Sequence, residues 1–375
     1  MRFYRLSVSD RTQTEKRQNS QRLDLRKEHV QPPFLLCSYV RRSNNGPGFV
    51  PGTSTDQFDP GALDIQFQIT QTSLTTFEEG GGDAAITIRG VDISTINQAS
   101  NLVGKTVSLQ AGMGRGLPLS NPKQIGEILR GTVRGSVGNW VGTDLSLTLY
   151  VANYVIPPDH QAAQIAPELH PHDATQPPVD NYQFHCTQGG DLVTAVRTAL
   201  SHVNPTYKII IDEKGPIPCS EDGFGIYRTF KDLCVAIGKF WYQQTGSEIL
   251  ITAQGDAFRV MNQARRMHPI PIRFEELIGQ PSWNGPVDIS FTCPMRGDIQ
   301  VGDIVQLPNV GSNAYGVIGG SGTDALYVPK SRSLFSGNFY VGRITHLGQF
   351  RSPDGQQWAT TFHCWPAYQK ESASQ

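Results

Sequence analysis

Near the C-terminus, His346, His363 and Cys364 fall within one short stretch, flanked by Trp358 and Trp365. These side chains bind zinc or carry protons. If the turn centres on Ser352–Gly355, His346 and His363 share one face of a hairpin and Cys364 lies on the other. A structural zinc site needs four ligands, so three with one turned away do not make it. A shift of one residue in register would also part the histidines. The stretch reads as a hairpin, with no metal and no cofactor expected.

Other fragments resemble sites less well. Ala99–Thr106 fits a relaxed phosphate-loop spacing with Lys105 at the lysine position, but that mechanism needs a strand before the loop and a helix after it. Here Val107–Ala111 reads as a strand, so no nucleotide is expected. Arg296-Gly297-Asp298 spells a cell-adhesion tripeptide between two strands, where a Gly-Asp turn is ordinary. His170 and His172 stand in a Pro-rich run that reads as solvated linker. A glycan hydrolase needs two carboxylates across a cleft. Asp212, Glu213, Glu221 and Asp222 are the candidates, and their spacing is not distinctive. No nucleophile elbow and no His-Glu-x-x-His helix occurs. No catalytic, cofactor-binding or metal-binding residue is therefore assigned.

The elements around these residues are strands. The chain has 375 residues, 17% of them charged, with 38 Gly and 25 Pro. That composition suits short strands and many turns. A net charge of −1 argues against a general polyanion binder. Residues 1–45 are the exception, with ten Lys/Arg against four acids. They read as a solvated extension, or as a contact with an acidic neighbour or DNA. The N-terminus lacks the apolar core of a signal peptide, and no run of about 18 apolar residues suggests a membrane anchor. The six scattered cysteines read as free thiols in a reducing compartment.

Leu63–Ile69 alternates apolar and polar residues as a half-buried strand does. Strands are expected at Phe3–Val8, Ala85–Arg89, Thr106–Ala111, Ile128–Arg134 and Asp144–Val151. Residues 10–60 read as a long loop or extension outside the core, although Phe34–Cys37 interrupts them. Helical spacing marks 190–203 and the run after Thr229, with strands at Tyr207–Asp212 and Glu248–Thr252. Strands return at Val287–Thr292, Asp303–Leu307, Asn338–Leu347 and Trp358–Trp365. The expected organisation is mainly β, with two similar β-barrel domains at 1–155 and 266–375. A Pro-rich linker at 156–184 and a small α/β domain at 185–265 join them.

The two β regions share a repeat. Val103–Leu109 and Val301–Leu307 both read V-G-x-x-V-x-L, and Gly126–Val133 and Gly337–Ile344 both read G-x-x-x-x-G-x-(V/I). These segments, with Leu63–Ile69, Ile86–Gly90 and above all Phe339–Leu347 with Trp358–Phe362, resemble the hub proteins of phage tail baseplates. Related hubs form the base of the type VI secretion spike. The resemblance implies a structural protein rather than an enzyme, placed in the virion after assembly in the host cytoplasm. It implies a homotrimer whose two barrels per copy form a pseudo-sixfold ring. The implied partners are the tail tube protein, the central spike protein and other baseplate proteins, with DNA or tape-measure protein in the lumen. The alternative from another class is a virion-associated cell-wall hydrolase or glycan-binding module.

Overall fold

The computed structural model describes residues 1–9, 34–41, 56–75, 83–114, 121–155, 182–213, 215–262, 268–285, 288–308 and 337–367. Residues 156–181 of the linker reading, His170, His172 and most of the basic stretch lie outside the described residues, whereas Tyr182–Phe184, read as the end of the linker, are in a strand of the middle piece. The early strands are β1 (Arg2–Ser9), β2 (Phe34–Cys37), β3 (Tyr39–Arg41), β4 (Asp56–Phe58), β5 (Asp64–Thr72) and β6 (Asp83–Arg89). A short helix, α1 (Ile93–Asn97), leads to β7 (Thr106–Met113), β8 (Gly126–Val141) and β9 (Asp144–Ala152). The middle piece holds β10 (Tyr182–Cys186), α2 (Leu192–Val203), β11 (Lys208–Ile211), β12 (Gly223–Tyr227), α3 (Phe230–Thr245), β13 (Leu250–Gln254) and β14 (Ala257–Met261). Then follow β15 (Ile270–Pro271), β16 (Ser282–Trp283), β17 (Ile289–Pro294), β18 (Ile304–Leu307), β19 (Gly337–Gln349) and β20 (Trp358–Pro366). The fold is mainly β, as the composition and alternation imply.

The repeat extends to whole-strand topology. Side by side, the first set runs β1-β7-β8-β9-β6-β5 and the second runs β15-β18-β19-β20-β17-β16. Each set takes its strands in the same order along the chain. One pairing differs: β1 is antiparallel to β7, whereas β15 is parallel to β18. The repeated V-G motif makes the same backbone contacts twice. Gly104 donates to Val133 O at 2.8 Å and Val133 donates back to Lys105 O at 2.9 Å. Gly302 donates to Val341 O at 2.8 Å and Val341 donates back to Asp303 O at 2.9 Å. Both glycines are left-handed, with φ of 82° and 90°, a conformation that costs a side chain about 1–2 kcal/mol. A bulge follows in each long strand, between Val133 and Gly135 and between Val341 and Arg343. Val133 thus corresponds to Val341. The glycine pattern had set Gly131 beside Gly342, but the bonds set Arg134 there.

The two sets are fused into one 13-stranded sheet, because β5 pairs with β19 as well as with β6. Each set still wraps its own apolar core. Ile65, Phe67, Ile86, Leu109, Leu147 and Leu149 fill the first, and Phe291, Val305, Val341, Ile344 and Phe362 fill the second. Trp358 starts β20 but packs in the first core, where its indole N–H donates to Gly112 O at 2.9 Å. The middle piece has a third core, built by α2, α3 and their sheets. Thr229 caps α3 as the sequence suggests, accepting from the Asp232 N–H.

Two expectations fail. Phe34–Cys37 is not outside the core: β2 pairs with β1, and Phe34 and Leu36 are buried. The apolar residues at Phe34, Leu36 and Cys37 have the burial of a strand, and the polar sequence on both sides masked it. Nor are all six cysteines free. The antiparallel β10–β12 pair closes the loop between them and joins Cys186 to Cys219 in a disulfide. Cys37, Cys234, Cys293 and Cys364 are buried and are not disulfide-bonded.

Gly104→Val and Gly302→Val are each expected to lower stability by about 1–2 kcal/mol or more, since a β-branched residue resists left-handed backbone. Denaturant unfolding measures this. A neutral result at either position would contradict the paired role.

Candidate functional site: the junction of the two sheet halves

The hairpin of β19 and β20 places the histidines apart. His346 stands opposite Thr360, and Arg343 opposite His363. His346 points into the interior with Thr360 and Cys364, whereas His363 is on the outer face beside Arg343, 3.3 Å from its guanidinium. The expected sharing of a face is therefore wrong by one residue of register. Cys364 lies four residues along β20 from Thr360, about 13 Å at strand rise. Among the described residues no group of three or more His, Cys, Asp or Glu side chains could hold a metal.

His346 has a structural position instead. Its Nδ1 lies 2.9 Å from Thr360 Oγ1, and burial pushes the imidazole down to about 3. It is neutral at ordinary pH. Thr360 Oγ1 also accepts from the Arg296 N–H at 3.1 Å.

Arg296, from the adhesion-like tripeptide, is 3% exposed and is unavailable to a receptor. Its Nε and Nη2 meet Asp298 at 2.9 and 2.8 Å, and its Nη1 meets Glu276 at 3.3 Å. Burial acts to lower the Arg296 pKa, but the bonds to Asp298 outweigh it and hold the guanidinium charged. Glu276 also accepts from Arg273 at 2.9 Å and from the Gln124 side chain at 3.0 Å. Gln124 belongs to the first half of the chain, so this ionic cluster spans the junction. Beside it, Gly297 N–H donates to Gln124 O at 2.8 Å. A Cβ on Gly126 would stand 2.3 Å from Gly297 O, so backbone meets backbone with no room for a side chain.

Arg2 locks the opposite side. Its guanidinium donates to the carbonyls of Gln349, Phe350, Ser352 and Asp354 and lies 5.9 Å from the Trp358 ring centroid. Arg351 answers by donating to Pro60 O and Ala62 O. Nothing local in the sequence marks Arg2 or Gln124 for these roles, because their partners lie more than 100 residues away, and the Arg296–Glu276 pair spans 20 residues with no helical or strand spacing to predict it.

The phosphate-loop reading finds no support in the geometry. A 3-10 turn at Ala99–Leu102 precedes Lys105 and the strand β7 follows, the reverse of what phosphate amides need. The proposed acids do not converge. Asp212 pairs with Arg259 at 2.7 Å, Glu213 with Asn262 at 2.5 Å, Glu221 with Gln244, and Asp222 accepts from Gln188 N–H at 2.6 Å. A cleft of about 320 Å³ does open where the three pieces meet, lined by Glu127, Arg130, Asp256, Gln300 and His346 among others. Burial pushes the Glu127 carboxyl up, partly offset by the Ser108 hydroxyl, which donates to it at 2.5 Å. Asp256 is paired to Lys208 at 3.2 Å.

No protein-family model matches the chain, and no curated protein does. Three of the solved structures similar to it are described as two tail proteins and a VgrG complex. The tail protein from Neisseria meningitidis MC58 has a TM-score of 0.46 at 8% identity, covering 88% of this chain and 96% of that one. The 43 kDa tail protein of prophage MuSo2 from Shewanella oneidensis has 0.41 at 8% identity, covering 81% and 98%. The lidless PdpA–VgrG complex has 0.42 at 8% identity, covering 99% of this chain and 67% of that one. At such scores these similarities add nothing about activity.

Two outcomes follow from the junction. Arg296→Met removes the guanidinium partner of Asp298 and one of the two guanidinium partners of Glu276, and is expected to cost about 3 kcal/mol in denaturant unfolding. A change below about 1 kcal/mol would contradict the cluster's role. The second concerns acid. The unfolded chain protonates His346 near 6.5, while the folded chain holds it neutral down to about 3. The unfolded state therefore binds the extra proton in that window. The contribution to stability is complete above about 6.5 and is lost as pH falls towards about 3. His346→Leu is expected to flatten the fall in melting temperature across this window. An unchanged slope would contradict it.

Proposed function

We propose that the chain is a structural hub of a phage-type tail, forming a trimeric ring between a sixfold tail tube and a trimeric central spike. The observation that carries this is the duplicated six-strand unit. Three copies of a chain with two equivalent units present six similar walls, which a sixfold tube can match. The opposite face, where the two units differ, stays threefold. The domains of this reading are two barrels at 1–155 and 266–375, with the α/β domain at 185–265 and the linker at 156–184 between them. The resemblance of the repeat segments to baseplate hubs supports it. So does the use of the junction's charged side chains in holding the halves together rather than in an open site. The partners of this reading are the tube protein, the spike protein and other baseplate proteins, and its location is the virion.

One observation favours a second reading. Glu127 and Asp256 line one cleft, the pairing of carboxylates a glycan hydrolase uses. Cell-wall lysis by the purified chain that is lost in Glu127→Gln would establish it. The hub reading expects no lysis from either protein. Its own test is electron cryo-microscopy of the assembled tail tip. Three copies about the axis, with 63–151 and 287–365 alternating as six similar barrels, are expected. A single off-axis copy, or one barrel per copy in the ring, would overturn it.

A further inference from the structure

The fused sheet contains one finished joint and the two parts of an unfinished one. Along β19, the side opposite β20 is covered first by β18, at Gly337–Tyr340, and then by β5, at Arg343–Gln349. β8 repeats the first part of this plan: β7 covers it as far as Thr132, and β9 covers the other side out to Val141. With Val133 set on Val341, Gly135–Val141 corresponds to Arg343–Gln349. Among the described residues, no strand pairs with that stretch on the side away from β9. The strand that stands where β5 stands in the other set is β16, which comes last in the strand order of the described residues, beside β17. Among the described residues, the β8 stretch has no counterpart of β5 beside it, and β16 has no counterpart of β19.

We infer that a second copy of this chain fills both vacancies, with Gly135–Val141 of β8 pairing antiparallel with β16 of the next copy. This rests on the hub reading for the number of copies and goes beyond it in naming the joint. The register follows from the finished joint. Gln68 pairs with Ala85 and with Leu347. Ser282 pairs with Ser290, the counterpart of Ala85. The counterpart of Leu347 is Asn139. Ser282 of one copy therefore meets Asn139 of the next, and Trp283 meets Gly138.

The surfaces suit this occupant. Exposed sheet edges are ordinarily guarded by charge. Neither Gly135–Val141 nor Ser282–Gly285 contains a charged residue. The β8–β9 arm also exposes Val137, Trp140, Val141 and Tyr150, and β16 exposes Trp283. The chain's net charge of −1 sets up little repulsion between copies. The contact is head to tail, so it closes into a ring if the rotation permits. In a ring of three, joints within and between chains alternate.

The full chain carrying Asn139→Cys and Ser282→Cys together tests this. Opposed Cα atoms in an antiparallel pair lie about 4.5–5.5 Å apart, within disulfide reach. Mild oxidation is expected to give linked dimers and a linked trimer on a non-reducing gel, and the single variants are expected to give no trimer. Val137→Lys with Val141→Lys should abolish oligomers and leave the far-ultraviolet spectrum and melting of the monomer unchanged. No linked species at any concentration would overturn the inference, as would a linkage confined to one chain. An imaged trimeric ring without linkage would overturn this joint and leave the hub reading intact. A linked ladder running past three would uphold the joint and overturn the trimer.

Discussion

One strand holds the three pieces of this protein in place. β5 pairs with β6 on one side and β19 on the other. Just beyond its end, Ser73, Leu74 and Thr75 bond to Ile249 and Ile251 at the start of β13. Its inward side chains, Ile65, Phe67 and Ile69, are fully or almost fully buried. A slip of one residue would turn all three to the other face. Each is worth about 1.5–3 kcal/mol when buried. The register of β5 therefore fixes both of its neighbours at once, and the halves cannot slide without emptying the first core.

The charged groups at the junction are consistent with that constraint. A buried ion pair adds little net stability when complete but is costly when broken. Arg296 is satisfied only if Asp298, Glu276 and the segment carrying Thr360 are all in position. Arg2 needs the turn after β19 in the same way. These groups resist opening of the joint rather than draw it together, which the β5–β19 pairing and Trp358 in the first core already do.

The sequence made the strands legible because alternation and turn glycines are local signals. Leu63–Ile69, Thr106–Ala111 and Trp358–Trp365 fall within three residues of the ends of the observed strands. The repeat was legible in its V-G motif, since the left-handed glycine recurs wherever the same backbone turn recurs. Its second part was misaligned by three residues. Gly131 and Gly342 look equivalent in sequence, but strand pairing decides equivalence, and the loops before them differ in length. The histidine faces were missed for a related reason, because one residue of register decides them and a turn centre guessed from sequence is no finer than that. The core position of Phe34–Cys37, the Cys186–Cys219 bond and the Arg296 cluster depend on contacts between distant segments, which no local pattern encodes.

The most direct test of a single fused sheet is site-resolved hydrogen exchange in the isolated chain. The amides of Arg343–Gln349 that face β5 are expected to be protected as strongly as those facing β20 in the same strand. Exchange of the β5-facing amides orders of magnitude faster, with the β20-facing amides still slow, would mean that the halves part as independent units and would contradict the account.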